Sequence, residues 1–162
     1  MPKFTLSTPD WSKIFNNYRK YSVPTGAGAD DNTTVKVPVF DTGNLEAALY
    51  WRKQFADLID LKQLDAAAKF NNARILTSGP GREKWNQARQ EVLRENTPNP
   101  LNPTDARFNT TMLIFLKKCG ATSETAEDLR EFIANAKKPS NMSLDDFKRR
   151  IHELNEYLPY LP

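Results

Sequence analysis

Leu45-Glu46-Ala47-Ala48-Leu49-Tyr50-Trp51-Arg52-Lys53-Gln54-Phe55-Ala56-Asp57-Leu58-Ile59 sets its apolar side chains three and four residues apart. Leu45, Ala48, Leu49, Trp51, Phe55, Leu58 and Ile59 therefore share one face of a helix, because 3.6 residues make a turn. Asp41-Thr42-Gly43-Asn44 just before them is a break, the composition from which a helix starts. A strand would need strict alternation, and the stretch has none. This long amphipathic helix makes the chain's helical character legible, and the remaining segments are read outward from it.

On the C-terminal side the pattern repeats. A second helix is expected over about 65–76, with Phe70, Ala73 and Leu76 inward and Gly79 ending it. Pro80-Gly81 makes a corner, and a third helix carries Trp85, Ala88 and Val92. Asn96 to Pro103 holds three prolines, each lacking the N–H a helix needs, so 98–103 reads as a stiff linker. Beyond it Thr104 or Asp105 caps a helix bearing Phe108, Met112, Phe115 and Leu116, which Gly120 stops. Thr122 or Ser123 starts another with Leu129, Phe132, Ile133 and Ala136, which ends before Pro139. The last helix has the clearest start. Ser143 with Asp146 resembles a capping box in which Asp replaces the usual Glu, and Met142 and Phe147 occupy hydrophobic-staple positions. Its expected buried stripe is Phe147, Ile151, Leu154 and Leu158.

On the N-terminal side Thr8-Pro9-Asp10 looks like a cap followed by proline in the first turn, with Trp11, Ile14, Phe15 and Tyr18 on one helical face. Ser22 to Thr34 is rich in Gly, Ala, Asp, Asn and Thr and reads as a mobile loop. Val35, Val37 and Val39 alternate, but Pro38 removes a ladder donor, so an edge strand or extended arm is the most they form. The expected organisation is an N-terminal helix, loop and arm over 1–40, a first helical group over 41–97, the linker at 98–103, a helical hairpin over 104–138 that completes the domain of the first group, and a capped helix over 143–158. The fold class is all-α, a bundle of about seven helices.

The chemistry such a chain can carry is bounded by its composition. Among 162 residues there is one His and one Cys, and 23 Lys+Arg face 20 Asp+Glu for a formal charge of +3. No Gly-rich phosphate loop is present, and one His with one Cys cannot build the usual metal sites, so no cofactor or metal is expected. A single thiol fits a reducing, cytoplasmic compartment, and the longest apolar run, Met112 to Leu116, is far too short to span a bilayer. His152 reads as a solvated helix residue and Cys119 as buried filler. Asp145 and Asp146 oppose the helix dipole rather than pair for catalysis. Trp51, Phe55, Trp85, Phe115, Phe147 and Leu154 are the expected structural core, and Ser143 with Asp146 the expected cap. Lys137, Lys138, Lys148, Arg149 and Arg150 are candidates for weak phosphate contact, though the acids among them make a solvated face the simpler reading.

Taken together, Phe40-Asp41-Thr42-Gly43, Leu45 to Trp51 with Phe55, and Ala73 to Gly79 with Trp85 resemble the first half of gypsy-type retrotransposon Gag capsids. Met142 to Phe147, Arg150-Ile151 and Leu154 are similar to the helix that opens the second capsid domain near the major homology region. The Gln-Gly pair before that helix and the Glu ahead of its Phe are missing here, while Phe147 and Arg150 match the spacing of the aromatic and basic members. The resemblance covers 40–158. It implies a retroviral-capsid-like fold and a structural, non-enzymatic protein that associates weakly with copies of itself into a virus-like particle around the element's RNA. It implies no membrane and no small-molecule substrate. Two other readings share these features: a Gag-derived or other helical adaptor, and a viral nucleoprotein fragment that binds RNA directly.

Overall fold

Asn44 ends the break by turning its side-chain oxygen back to accept the Ala47 N–H at 2.9 Å, satisfying one of the donors that a helix start leaves free. In the computed structural model, which describes residues 4–25, 32–95 and 103–162, helix α2 then runs Leu45–Lys62. It stops where Gln63 takes a left-handed conformation. A one-turn helix α1 (Trp11–Ile14) and two strands, β1 (Tyr18–Pro24) and β2 (Asn32–Pro38), precede it. After it come α3 (Ala66–Ile75), α4 (Gly79–Glu95), α5 (Asp105–Lys118), α6 (Thr125–Asn135), α7 (Leu144–Glu156) and a single 3-10 turn, Leu158–Tyr160. The described chain is thus mostly helical with one small sheet.

Most starts are capped by the side chain nearest to hand. Asp65 accepts from Ala68 N–H at 2.8 Å, Thr104 from Arg107 N–H at 3.1 Å and Ser143 from Asp146 N–H at 3.1 Å. The box at Ser143 is only half formed, because the Asp146 carboxylate turns instead to Arg149 at 3.4 Å. Helix α6 begins later than expected. The Thr125 hydroxyl reaches back to the Thr122 N–H at 2.8 Å, so Thr122–Glu124 becomes a turn rather than the first turn of the helix.

The core is a chain of aromatic rings. Trp51 meets Phe55 at 5.5 Å and Phe115 at 5.3 Å between centroids, and Phe55 meets Phe108 at 5.9 Å. Trp85 in turn lies 6.0 Å from Phe108 and 5.8 Å from Phe115. Such tilted and edge-on contacts add to simple burial. Because Trp85 precedes the proline-rich segment and Phe108 follows it, residues 98–103 do not separate two cores; 98–102 themselves lie outside the described residues. The same cluster also takes in Phe4, Leu154, Tyr157 and Leu161.

The α3–α4 corner is stitched to the entry of α2. Phe40 N–H donates to Leu76 O at 2.9 Å, Ser78 N–H to Phe40 O at 3.0 Å and Gly81 N–H to Asp41 O at 2.6 Å. Gly79 sits at φ +47°, and a Cβ on it would lie 2.1 Å from Asp41 Oδ1; a Cβ on Gly81 would lie 2.5 Å from Phe40 O. Only glycine lets the two segments approach so closely.

The N-terminal region departs from expectation. The first helix ends at Ile14, and Tyr18 opens β1 instead of closing a helical face. Ser22–Pro24 and Asn32–Thr34, expected within a loop, pair in an antiparallel hairpin that runs from Tyr18↔Pro38 to Pro24↔Asn32. The rest of that expected loop, 26–31, lies outside the described residues. Val35 and Val37 belong to this ladder, so of the two expected alternatives the structure takes the edge strand and not the extended arm. The alternation of Tyr21 and Val23 with Val35 and Val37 buries one face, and Tyr21 OH anchors it by donating to Asn72 Oδ1 on α3 at 2.8 Å. Pro38 occupies the end of β2, where proline is tolerated.

Candidate functional site

Helix α7 has two apolar arcs with different fates. Arg150, Leu154 and Tyr157 recur at helical spacing and are all buried. Leu144, Phe147 and Ile151 lie beside them, also at helical spacing. Leu144 is 55% exposed, Phe147 and Ile151 are half-buried, and among the described residues none of the three packs against the core cluster. Phe147 is therefore not core, contrary to the sequence expectation: the inward direction of α7 is set one notch round the helix, by Arg150. Trp51, Phe55, Trp85, Phe115 and Leu154 are fully buried.

What draws Arg150 inward is Glu46, in the first turn of α2. The guanidinium forks the carboxylate, Nη1 to Oε2 and Nη2 to Oε1 both at 2.7 Å. Its Nε and Nη2 also donate to the Thr5 carbonyl at 3.1 and 2.9 Å, and Nη1 to Glu153. Arg150 is 0% and the Glu46 side chain 4% exposed. Burial opposes the charge on Arg150, but hydrogen bonds and attraction from Glu46 and Glu153 outweigh it and hold its pKa above the ordinary value. Burial, followed by the charges of Glu46 and Glu153, pushes the neighbouring Tyr157 phenol far above its usual range. A bidentate arginine with every N–H edge occupied fastens α7, α2 and the N-terminal segment together. It has no capacity for substrate.

Of the five basic candidates for phosphate contact, three are engaged within the chain. Arg150 is the buried member just described, so it cannot reach solvent phosphate. Lys138 Nζ donates to Pro139 O at 3.0 Å and Met142 O at 2.8 Å, closing the connection into α7. Arg149 pairs with Asp146, and Lys137 and Lys148 remain exposed. His152 is exposed and lies 2.8 Å from Glu156. The Cys119 thiol is buried, which pushes its pKa up to about 11 and leaves little thiolate near neutrality. Among the described residues no group of three His, Cys, Asp or Glu side chains could hold a metal ion, and no helix is long and apolar enough to cross a membrane.

Sequence reading missed Glu46, Thr5 and Tyr157. The only available signal was that Arg150 stands four residues before Leu154 and seven before Tyr157, on the inward side of an amphipathic helix. No family model, curated protein or solved structure matches this chain. The functional reading therefore rests on its own residues.

Proposed function

We propose that this chain is a structural subunit that acts by associating with copies of itself, in the manner of the retroelement Gag capsids whose sequence it resembles. The observation that carries the reading is the outer arc of α7: Leu144, Phe147 and Ile151, held at the surface of a helix that the Arg150–Glu46 pair locks in place. A helix fixed in place with a partly uncovered apolar edge is suited to pack on another helix. The occupant is a second copy, because the flank of this edge complements itself. Asp145 and Lys148 lie on the same side of the arc, so a two-fold antiparallel crossing that sets Leu144 over Ile151 brings the Asp145 of each copy to the Lys148 of the other. Three apolar side chains make a small contact, which fits weak individual interfaces multiplied by the number of neighbours. On this reading the protein is a cytoplasmic shell component with a retroviral-capsid-like fold, and no catalytic step belongs to it.

Molecular mass followed by light scattering as the protein is concentrated provides the test. Association should appear toward millimolar concentration and weaken in Phe147→Ser and Lys148→Glu, and Asp145→Lys combined with Lys148→Glu should restore it. A strict monomer at millimolar concentration, or association untouched by these changes, overturns the proposal and leaves the adaptor reading.

A further inference from the structure

A second surface lies on the hairpin, and its chemistry differs. The register places Lys20 directly opposite Lys36 on the face turned away from the buried valines. Like charges across a ladder repel, and among the described residues neither lysine has an acidic partner. Where β1 begins, a groove of about 480 Å³ is lined by Tyr18, Arg19, Lys20, Ser78 and Arg82 among others, and by no carboxylate. Arg82 is tethered through Nε, which donates to Arg74 O at 3.1 Å and Thr77 O at 2.9 Å. Its two Nη groups stay unpaired among the described residues. Tyr18 is 40% exposed and is the one aromatic ring among the exposed large hydrophobic side chains, the others being Ile14, Leu61, Leu113 and Leu144.

We infer that this groove binds single-stranded nucleic acid, with Tyr18 stacking on a base while Lys20 and Lys36, on the same face of the hairpin as Tyr18, and Arg82 contact the phosphates. An exposed ring beside a track of cations is how single strands are held without regard to sequence, since every base has a π-face and every nucleotide a phosphate. A duplex has its bases already stacked and offers nothing to Tyr18. The mild net charge of +3 makes the local clustering informative, because the acids that balance the chain elsewhere are missing from this groove. The inference does not depend on the α7 edge.

Fluorescence anisotropy of labelled oligo(U), oligo(A) and a duplex of equal length, measured with the full chain from 50 to 200 mM salt, is the test. Both single strands should bind alike and more tightly than the duplex. Three phosphate contacts predict a log–log salt slope of about −2, reduced by about 0.7 in Lys20→Ala. Tyr18→Ala should weaken binding about five- to hundredfold and Tyr18→Trp should preserve it. Lys137→Ala, at an exposed lysine away from the groove, should change nothing, and circular dichroism of each variant shows whether the fold is intact. Equal affinity for the duplex, indifference to Tyr18→Ala, or no binding at 50 mM salt would each overturn the inference; indifference together with equal binding of inorganic polyphosphate would reduce the groove to a plain anion patch.

Discussion

Arg150 carries its charge to a place from which water is excluded, and Glu46 is what makes that tolerable. Bringing two ions out of water is costly, and their attraction repays the cost only when geometry and the remaining hydrogen bonds are good. Here the fork, the Thr5 carbonyl and Glu153 supply both. Arg150→Met or Glu46→Leu alone should therefore destabilise by about 3–5 kcal/mol, because each leaves its partner buried and unpaired. The double variant should cost much less than the sum of the two, as apolar groups fill the space. Urea denaturation of the four proteins gives the coupling, and strict additivity would mean the pair contributes nothing as a pair. At this scale sequence reading reached the aromatic core but not Arg150. Trp51 and Trp85 announce burial by their own hydrophobicity, whereas an arginine between Arg149 and Ile151 announces nothing until the residue it meets is known.

At the scale of elements, the helices were legible because their signals are local: an apolar period, and an oxygen-bearing residue such as Asp65, Thr104 or Ser143 at the start. The hairpin was not. Its strands are separated by a Gly- and Asp-rich tract that masks them, and its pairing depends on a partner strand rather than on near neighbours. Phe147 was misplaced for a related reason, since amphipathic period gives the apolar side of a helix but not how much of that side is covered. The hairpin also stores a conflict that substitution can release. Lys36→Glu would set an acid opposite Lys20, exchanging repulsion for attraction worth up to about 1 kcal/mol. A rise of about 2 °C in melting temperature is expected for a chain of this size. A fall would show that Lys36 has a favourable role in the folded state apart from any ligand.

For the whole molecule the decisive feature is that one hydrophobic cluster reaches from Phe4 to Leu161 and crosses the proline-rich segment. Sequence reading placed a linker there between two helical groups because three prolines forbid helix, with the later hairpin completing the domain begun by the first group; one cluster spans both groups. A shared core predicts shared unfolding. Tryptophan fluorescence, which reports Trp11, Trp51 and Trp85, all on one side of the segment, and far-UV circular dichroism, which sees α5, α6 and α7 as well, should follow a single coincident transition in urea. An early helical loss with unchanged fluorescence would show α7 coming away as a separate unit.

The Arg150–Glu46 pair also imposes an order on the protein's synthesis. Its two members are 104 residues apart, so at roughly 5–20 residues per second the carboxylate is made about 5–20 s before its guanidinium. Through that interval Glu46 must keep its water, and the first turns of α2 cannot close into a dry interior. The interior around Glu46 can therefore close over a paired charge only once α7 is available. On the proposal that the outer arc of α7 is the self-association edge, a half-made chain has no α7 with which to join its neighbours.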